Sequence, residues 1–416
     1  MDQQDDSSNY IANKEIHNSN ISGYELQEKP PSDIEQVSSR EAEKADAIRR
    51  ACDQRDLDAL VSYATSEGGF LQDELRKLAW PILLQCDIHA GDLAAWEDLP
   101  PHVEEDQVQL DVHRSFVYYP RCSEEELSLK KEELSSLIKQ VLRNHPMLCY
   151  FQGYHDIVQV LLLVLGEQQA APAVAQISLF RIRDYMLPSL TPALKHLQLI
   201  PAIIERADPG LRQHLSGIKP FFALAATLTL YAHEIQEYSD IARLFDFLLA
   251  REPVVSIYLF AAIILFRKKE LLAISVDEPE MLHFTLSKLP FPLDLDGLIS
   301  RAVQLFDDHP PESLPFRAWR KVPRQSVLKD SRDIFQIRTS EEAVKLFEQQ
   351  TRRLQYEEQK KKALGFMWKH RRTIGSVAVT VFVGAVSIWL RKKGLDTSIW
   401  SYFGRFKTAF QSQGYF

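Results

Sequence analysis

The chain has 416 residues, of which 45% are hydrophobic and 25% charged, and its mean hydropathy is -0.22. That length allows two or three domains, and the composition excludes a polytopic membrane protein. The formal net charge of -8 argues against a nucleic-acid binder, which needs a basic face to neutralise phosphates.

Residues 1–45 read as a disordered acidic tail. The first fifty residues hold 11 acids against 6 bases, with Ser, Asn and Gln filling much of the rest, too little apolar surface to offset the entropy of ordering. Asp2, Asp5 and Asp6 are the opposite of a secretory leader's basic start. Cys52, Cys86, Cys122 and Cys149 lie 34, 36 and 27 residues apart, which matches neither metal-ligand nor redox spacing, so reduced thiols are expected. Glycine is scarce at 15, and Asp296-Gly297 lacks the alternating apolar flanks of a hairpin. The expected fold class is all-α.

From about Glu41 the pattern is helical. Ser123 with Glu126 forms a capping box, and Leu134, Leu137, Ile138, Val141 and Leu142 follow as an apolar stripe that ends at Asn144-His145-Pro146. Ile157, Val160, Leu161 and Val164 repeat the stripe on the next helix. Phe221–Tyr231 and Val254–Phe266 are too short to span a bilayer and read as buried core helices. A last amphipathic run, Leu298, Ile299, Val303, Leu305 and Phe306, sits inside the Pro-rich stretch Leu289–Pro315. These elements predict one helical domain over residues 46–315.

Residues 316–372 read as a linker and a polar juxtamembrane helix. Thr339 with Glu342 opens that helix, and Val344, Phe347 and Leu354 are too sparse for a packed face, so a solvated stalk is predicted. Thr373–Leu390 is eighteen residues without a charge, about 27 Å as a helix, bracketed by Arg371-Arg372 and Arg391-Lys392-Lys393, with Trp368 and Trp389 near its ends. It is expected to cross a membrane as a C-terminal anchor, with the N-terminal bulk cytosolic. The tail 391–416 is basic and aromatic and is expected in the lumen or the interface.

No P-loop, dinucleotide, HExxH or GxSxG string occurs. Two strings carry chemistry: Val108-Gln109-Leu110-Asp111-Val112-His113-Arg114, and Tyr150-Phe151-Gln152-Gly153-Tyr154-His155-Asp156. Asp111 lies three residues before Arg114, where its carboxylate can direct the guanidinium. Gly153 next to Gln152 permits close approach of a partner's backbone. An Arg and a Gln presented together are the two parts that GTP hydrolysis requires, a cation for the transferring phosphoryl group and an amide to orient the attacking water. On spacing alone, a surface ion pair and a helix start explain the same residues. His113 and His155 flank the pair, and a general-base role is not assigned to either.

The two strings together resemble the signature of the TBC-domain Rab GTPase-activating proteins, IxxDxxR followed by YxQGxxD. Val108 stands where the family has Ile, and Asp111, Arg114, Tyr150, Gln152, Gly153 and Asp156 match. Arg76-Lys77-Leu78-Ala79-Trp80-Pro81 is similar to the family's early Arg and Trp, and Leu244–Leu249 precedes a buried helix as in the family. The likeness covers about Asp53 to Phe306. It implies a two-lobed all-α domain in which Arg114 and Gln152 are catalytic fingers supplied in trans. Asp111, Tyr150, Gly153 and Asp156 would support them. It further implies no cofactor or metal of the protein's own, because the partner Rab carries GTP and Mg2+, and no turnover without that partner. In arrangement the chain is similar to the membrane-anchored branch of the family, which implies an endoplasmic reticulum or early Golgi membrane and a Rab1-type substrate. The competing expectation is a membrane-anchored Rab-binding adaptor or tether without catalysis.

Overall fold

The computed structural model describes residues 31–86, 96–333, 336, 338–370, 382 and 384–386. Among them every regular element is a helix. The first group comprises α1 (Pro31–Gln54), α2 (Leu57–Thr65), α3 (Asp73–Leu83), α4 (Glu105–His113), α5 (Glu124–Asn144), α6 (Tyr154–Leu165) and α7 (Glu167–Phe180). α1 packs on α2 and α3, α4 lies on α5, and α5, α6 and α7 pack against one another.

The second group begins with α8 (Thr191–Leu197), α9 (Leu199–Ala207), α10 (Pro209–His214) and α11 (Leu224–Leu228). Then α12 (Tyr238–Ala250) returns to the first group and packs on α2, α3 and α6. α13 (Val255–Phe266), α14 (Lys268–Ala273), α15 (Pro279–Leu286) and α16 (Leu295–Asp308) complete the second group, with α13 seated on α9 and α16. The chain continues through α17 (Ala318–Lys321) and α18 (Val327–Asp330) into α19 (Ser340–Lys369). One continuous apolar core runs through both groups.

Local chemistry explains the elements that position the site. α5 starts at the expected capping box, with the Ser123 hydroxyl accepting from the Glu126 amide and the Glu126 carboxylate accepting from the Ser123 amide. The five residues of its predicted stripe are all buried, as are Ile157, Val160, Leu161 and Val164 on α6. Removing a large apolar side chain of this kind from water stabilises the fold by roughly 1.5–3 kcal/mol.

α12 joins the groups through charge as well as through apolar packing. Asp246 is fully buried, and its carboxylate accepts from the Arg76 guanidinium at 3.1 Å, the Trp80 indole at 2.8 Å and the Phe70 amide at 3.0 Å. Burial works against the Arg76 charge, but the Asp246 carboxylate outweighs it, so the guanidinium titrates above its ordinary value. One turn earlier, Arg243 donates to the Ala64 and Ser66 carbonyls and to Asp296 of α16. Gly69 lies at φ +54, and a Cβ there would stand 2.5 Å from the Asp246 carboxylate, so only glycine lets this loop close over the pair.

Four sequence expectations need correction. The tail assigned to 1–45 is helical from Pro31, because α1 continues into buried Ile48, Ala51 and Cys52. Phe221–Tyr231 is not one buried helix. It divides into a 3-10 turn at Pro220–Ala223 and the short α11, and it ends where Leu230 and Tyr231 take positive φ values of 48° and 67°. The body does not stop at residue 315, since Ala318, Trp319, Val322, Val327 and Leu328 are buried in the core.

Nor is the first half of α19 a solvated stalk, although its described residues beyond Glu357 are exposed. Ala343, Phe347 and Gln350 are buried along one face, with Leu354 half-buried. Gln350 accepts from Arg183 at 2.8 Å and donates to Asp184 at 2.5 Å. Asp184 also meets His196 and Ser326, and the set resembles a Ser-His-Asp grouping. Both Ser326 and Asp184 contact the same Nε2 of His196, and all three are fully buried, so the group is a tie between segments, not a nucleophile. Lys195 then pairs with Glu357 at 2.9 Å, one turn beyond the buried face. The predicted span Thr373–Leu390 falls almost wholly outside the described residues. Among those described, no helix is long and apolar enough to cross a membrane.

Replacing Asp246 by Ala leaves the buried Arg76 guanidinium with only the partly exposed Asp73 as counter-charge and the Trp80 indole without its acceptor. The expected loss is about 3–5 kcal/mol of unfolding free energy, measured by urea denaturation. A loss under about 1 kcal/mol would show that the pair does not hold the two groups together.

Candidate functional site

Arg114 is the residue at which α4 ends. Its amide bonds the Asp111 carbonyl at 3.0 Å, and its guanidinium donates to the Asp111 carboxylate at 2.5 Å while remaining 63% exposed. Asp111 itself is fully buried and also accepts from Gln107 at 3.0 Å. Beyond Arg114 the chain turns sharply: Ser115 caps the Val112 carbonyl, Phe116 adopts φ +60, and the Phe116 amide bonds the Gln159 side chain at 3.0 Å. α4 is held against α5 by a paired contact between Arg143 and Glu105, at 2.7 and 2.9 Å.

Gln152 lies on the turn between α5 and α6. Tyr150 and Phe151 before it and Gly153 after it are all buried, and Gln152 is exposed. Phe151 packs on the rings of Tyr154 and Tyr185, with centroids at 5.7 and 6.1 Å, so the turn has aromatic anchors that leave the amide outside. The Tyr150 amide donates to the Glu104 carboxylate, fastening the turn to the start of α4. Gly153 sits at φ +97, and a Cβ there would lie 2.6 Å from the Thr229 methyl, so a left-handed conformation and a close approach both require glycine.

A chain of polar contacts joins the two loops. The Tyr150 hydroxyl donates to Asp111 at 3.0 Å and meets His155 Nδ1 at 3.3 Å. On the other side of the ring, His155 Nε2 lies 3.3 Å from Asp156 Oδ1. Asp156 Oδ2 in turn takes a hydrogen bond of 3.0 Å from His233 Nδ1. Burial above all lowers the His155 pKa, keeping the ring neutral at neutral pH. His233 is shifted upward by its hydrogen bond to Asp156. Burial, and then the Asp111 charge, push the Tyr150 phenol well above its ordinary value, so it remains a donor.

All six site residues expected from the sequence therefore fall at the end of α4 or in the turn and first residues of α6. Asp111, Arg114 and Tyr150 are joined by hydrogen bonds and Asp156 is held by His233, whereas Gln152 and Gly153 are placed by the turn. Sequence reasoning missed Glu104, Gln159, Thr229 and His233, and it set His155 aside. Gln159 left a signal, a polar residue within the apolar stripe of α6. Thr229 and His233 left none, since they reach the site from a segment more than seventy residues away. Leu110, Val117 and Tyr118 are exposed on α4 and the loop that follows Arg114, and Tyr118 lines a cleft of about 730 Å³ together with Tyr119, Gln236 and Tyr238.

Residues 73–272 match the Rab-GTPase-TBC domain. The protein TBC1 domain family member 20 of Homo sapiens is 32% identical over 351 residues, which cover 83% of this chain and 87% of that protein. The chain belongs to the TBC-domain family. The GTPase-activating protein gyp10 of Schizosaccharomyces pombe is 33% identical over 307 residues, 72% of this chain and 82% of its own length. In this TBC protein the matched span begins at α3 and closes within α14, so it encloses both loops and the Arg76–Asp246 pair.

The Gly153→Ala variant is expected to lose about 1–3 kcal/mol of stability from the left-handed backbone and the clash with Thr229. Combining it with Thr229→Ser removes the clashing methyl and should recover only part of the loss in thermal unfolding. Full recovery would mean that the backbone conformation imposes no strain.

Proposed function

We propose that this protein is a Rab GTPase activator in which Arg114 and Gln152 enter the active site of a GTP-loaded Rab. The observation that carries the reading is the paired presentation of an exposed Arg and an exposed Gln on adjoining loops whose supports, Asp111, Tyr150 and Gly153, are buried. A residue that acts on another protein's nucleotide must project from the surface, and it must be held in direction by parts that do not move. The exposed apolar side chains around Arg114 give a protein partner something to pack against.

In this mechanism the Rab supplies GTP and Mg2+. Arg114 leaves Asp111 and lies against the transferring phosphoryl group, where its charge offsets the negative charge on the phosphoryl oxygens. Asp111 keeps its bonds to Gln107 and Tyr150 in the absence of the guanidinium, so the release does not strand a buried carboxylate. The Gln152 amide orients the water for in-line attack. The protein has no turnover of its own.

The chain is further proposed to be anchored through Thr373–Leu390 in the endoplasmic reticulum membrane, with the TBC domain in the cytosol and a Rab1-type GTPase as substrate. An uncharged stretch bracketed by basic residues supports the anchor, and the match with TBC1 domain family member 20 over most of both chains supports a common arrangement.

In single-turnover assays over a panel of GTP-loaded Rabs, Arg114→Ala should cut stimulation roughly 10³- to 10⁵-fold, about 4–7 kcal/mol of barrier. Gln152→Ala should also abolish stimulation, and both variants should melt as the wild type does. Stimulation by both variants at the wild-type rate would remove the mechanism and leave the adaptor reading. Deleting the residues after Met367 should release the protein from membranes into the soluble fraction; membrane retention would contradict the anchor.

A further inference from the structure

Asp156 closes the Tyr-x-Gln-Gly-x-x-Asp string in the first turn of α6. Its amide bonds the Gly153 carbonyl at 3.2 Å, so the carboxylate and the glutamine turn are parts of one rigid corner. Its Oδ2 shares a hydrogen bond of 3.0 Å with His233 Nδ1, and His155 Nε2 lies 3.3 Å from its Oδ1.

The two rings come from different places. His155 follows Tyr154 on α6 and is buried, whereas His233 lies between α11 and α12 and its side chain is 64% exposed. The segment that delivers His233 is tightly constrained. Leu230 and Tyr231 both have positive φ, a conformation that costs large side chains of order 1 kcal/mol each. Tyr231 is buried and its hydroxyl donates to the Ser256 carbonyl at 2.7 Å, while the His233 amide bonds the Thr229 hydroxyl at 3.4 Å. Thr229 is the residue that closes on Gly153. The same segment thus presses on both ends of the glutamine corner, by a methyl at Gly153 and by an imidazole at Asp156.

An exposed histidine gains little stability from a single solvent-facing hydrogen bond, so a strained segment is an expensive way to place one for the fold's sake alone. We propose that His233 is a positioning residue for Gln152, holding Asp156 and so locking the corner that presents the amide. The proposal rests on the reading that Gln152 acts on a Rab-bound nucleotide.

The test uses the full-length protein and a Rab that it stimulates. Misplacing a reacting group by about an ångström is enough to cost up to a hundredfold in rate, so His233→Ala is expected to lower kcat for stimulated hydrolysis about tenfold with KM unchanged. His233→Asn places an amide N–H where Nδ1–H stood and should restore the rate. Thermal unfolding of His233→Ala should match the wild type, because the side chain is exposed. A wild-type kcat for His233→Ala, a loss confined to KM, or an Asn variant no better than Ala would each overturn the proposal. Failure of the underlying reading has a different signature: Arg114→Ala and Gln152→Ala would stimulate like wild type in the same assay, and the positioning role would fall with them.

Discussion

The fold depends on one buried carboxylate. Asp246 has no access to water, and an isolated charge in that position would be untenable without partners. Its partners come from the far side of the chain: the guanidinium and indole of α3, one turn apart, and the amide of the loop that precedes them. Because three donors converge on two oxygens, α3 can sit against α12 in only one register. That register fixes the position of α6, which packs on both helices, and α6 begins at the glutamine corner.

The functional loops repeat the device at smaller scale. Asp111 is as buried as Asp246, but one of its donors, Arg114, is largely outside. A buried acceptor with an exposed donor gives a side chain that is directed at rest and able to leave. The glutamine side uses backbone geometry. Aromatic residues before Gln152 turn inward, Gly153 takes a conformation closed to other residues, and the amide has only the outward direction left. Charge orients the arginine and chain stereochemistry orients the glutamine. The hydrogen bond from Tyr150 to Asp111 ties the two segments together.

At the far end, the Asp184 cluster makes the first half of α19 part of the body. Arg183, His196, Ser326 and Gln350 gather around a fully buried carboxylate, and Lys195–Glu357 extends the attachment along the helix. A helix rigidly joined to the domain transmits the orientation of its free end to the loops, which a flexible linker would not. Its packed face escaped the sequence reading because two of its positions are Ala343 and Gln350. A small residue and an amide do not register as apolar, although close approach of backbones and a buried hydrogen bond serve the same purpose.

The amino-acid sequence alone determined the helical class, the capping box and stripe of α5, and the residue types at the two loops, since these follow from local propensity, periodicity and short spacing. It also determined which side chains could carry charge to a phosphoryl group or orient a water. Only the tertiary structure decided that Arg76 and Trp80 share a carboxylate with α12, that Thr229 closes on Gly153, and that His233 reaches Asp156. Each of those contacts joins segments more than seventy residues apart. Such contacts arise from how helices pack, and a linear pattern records the face that a helix will bury but not the partner it will bury it against.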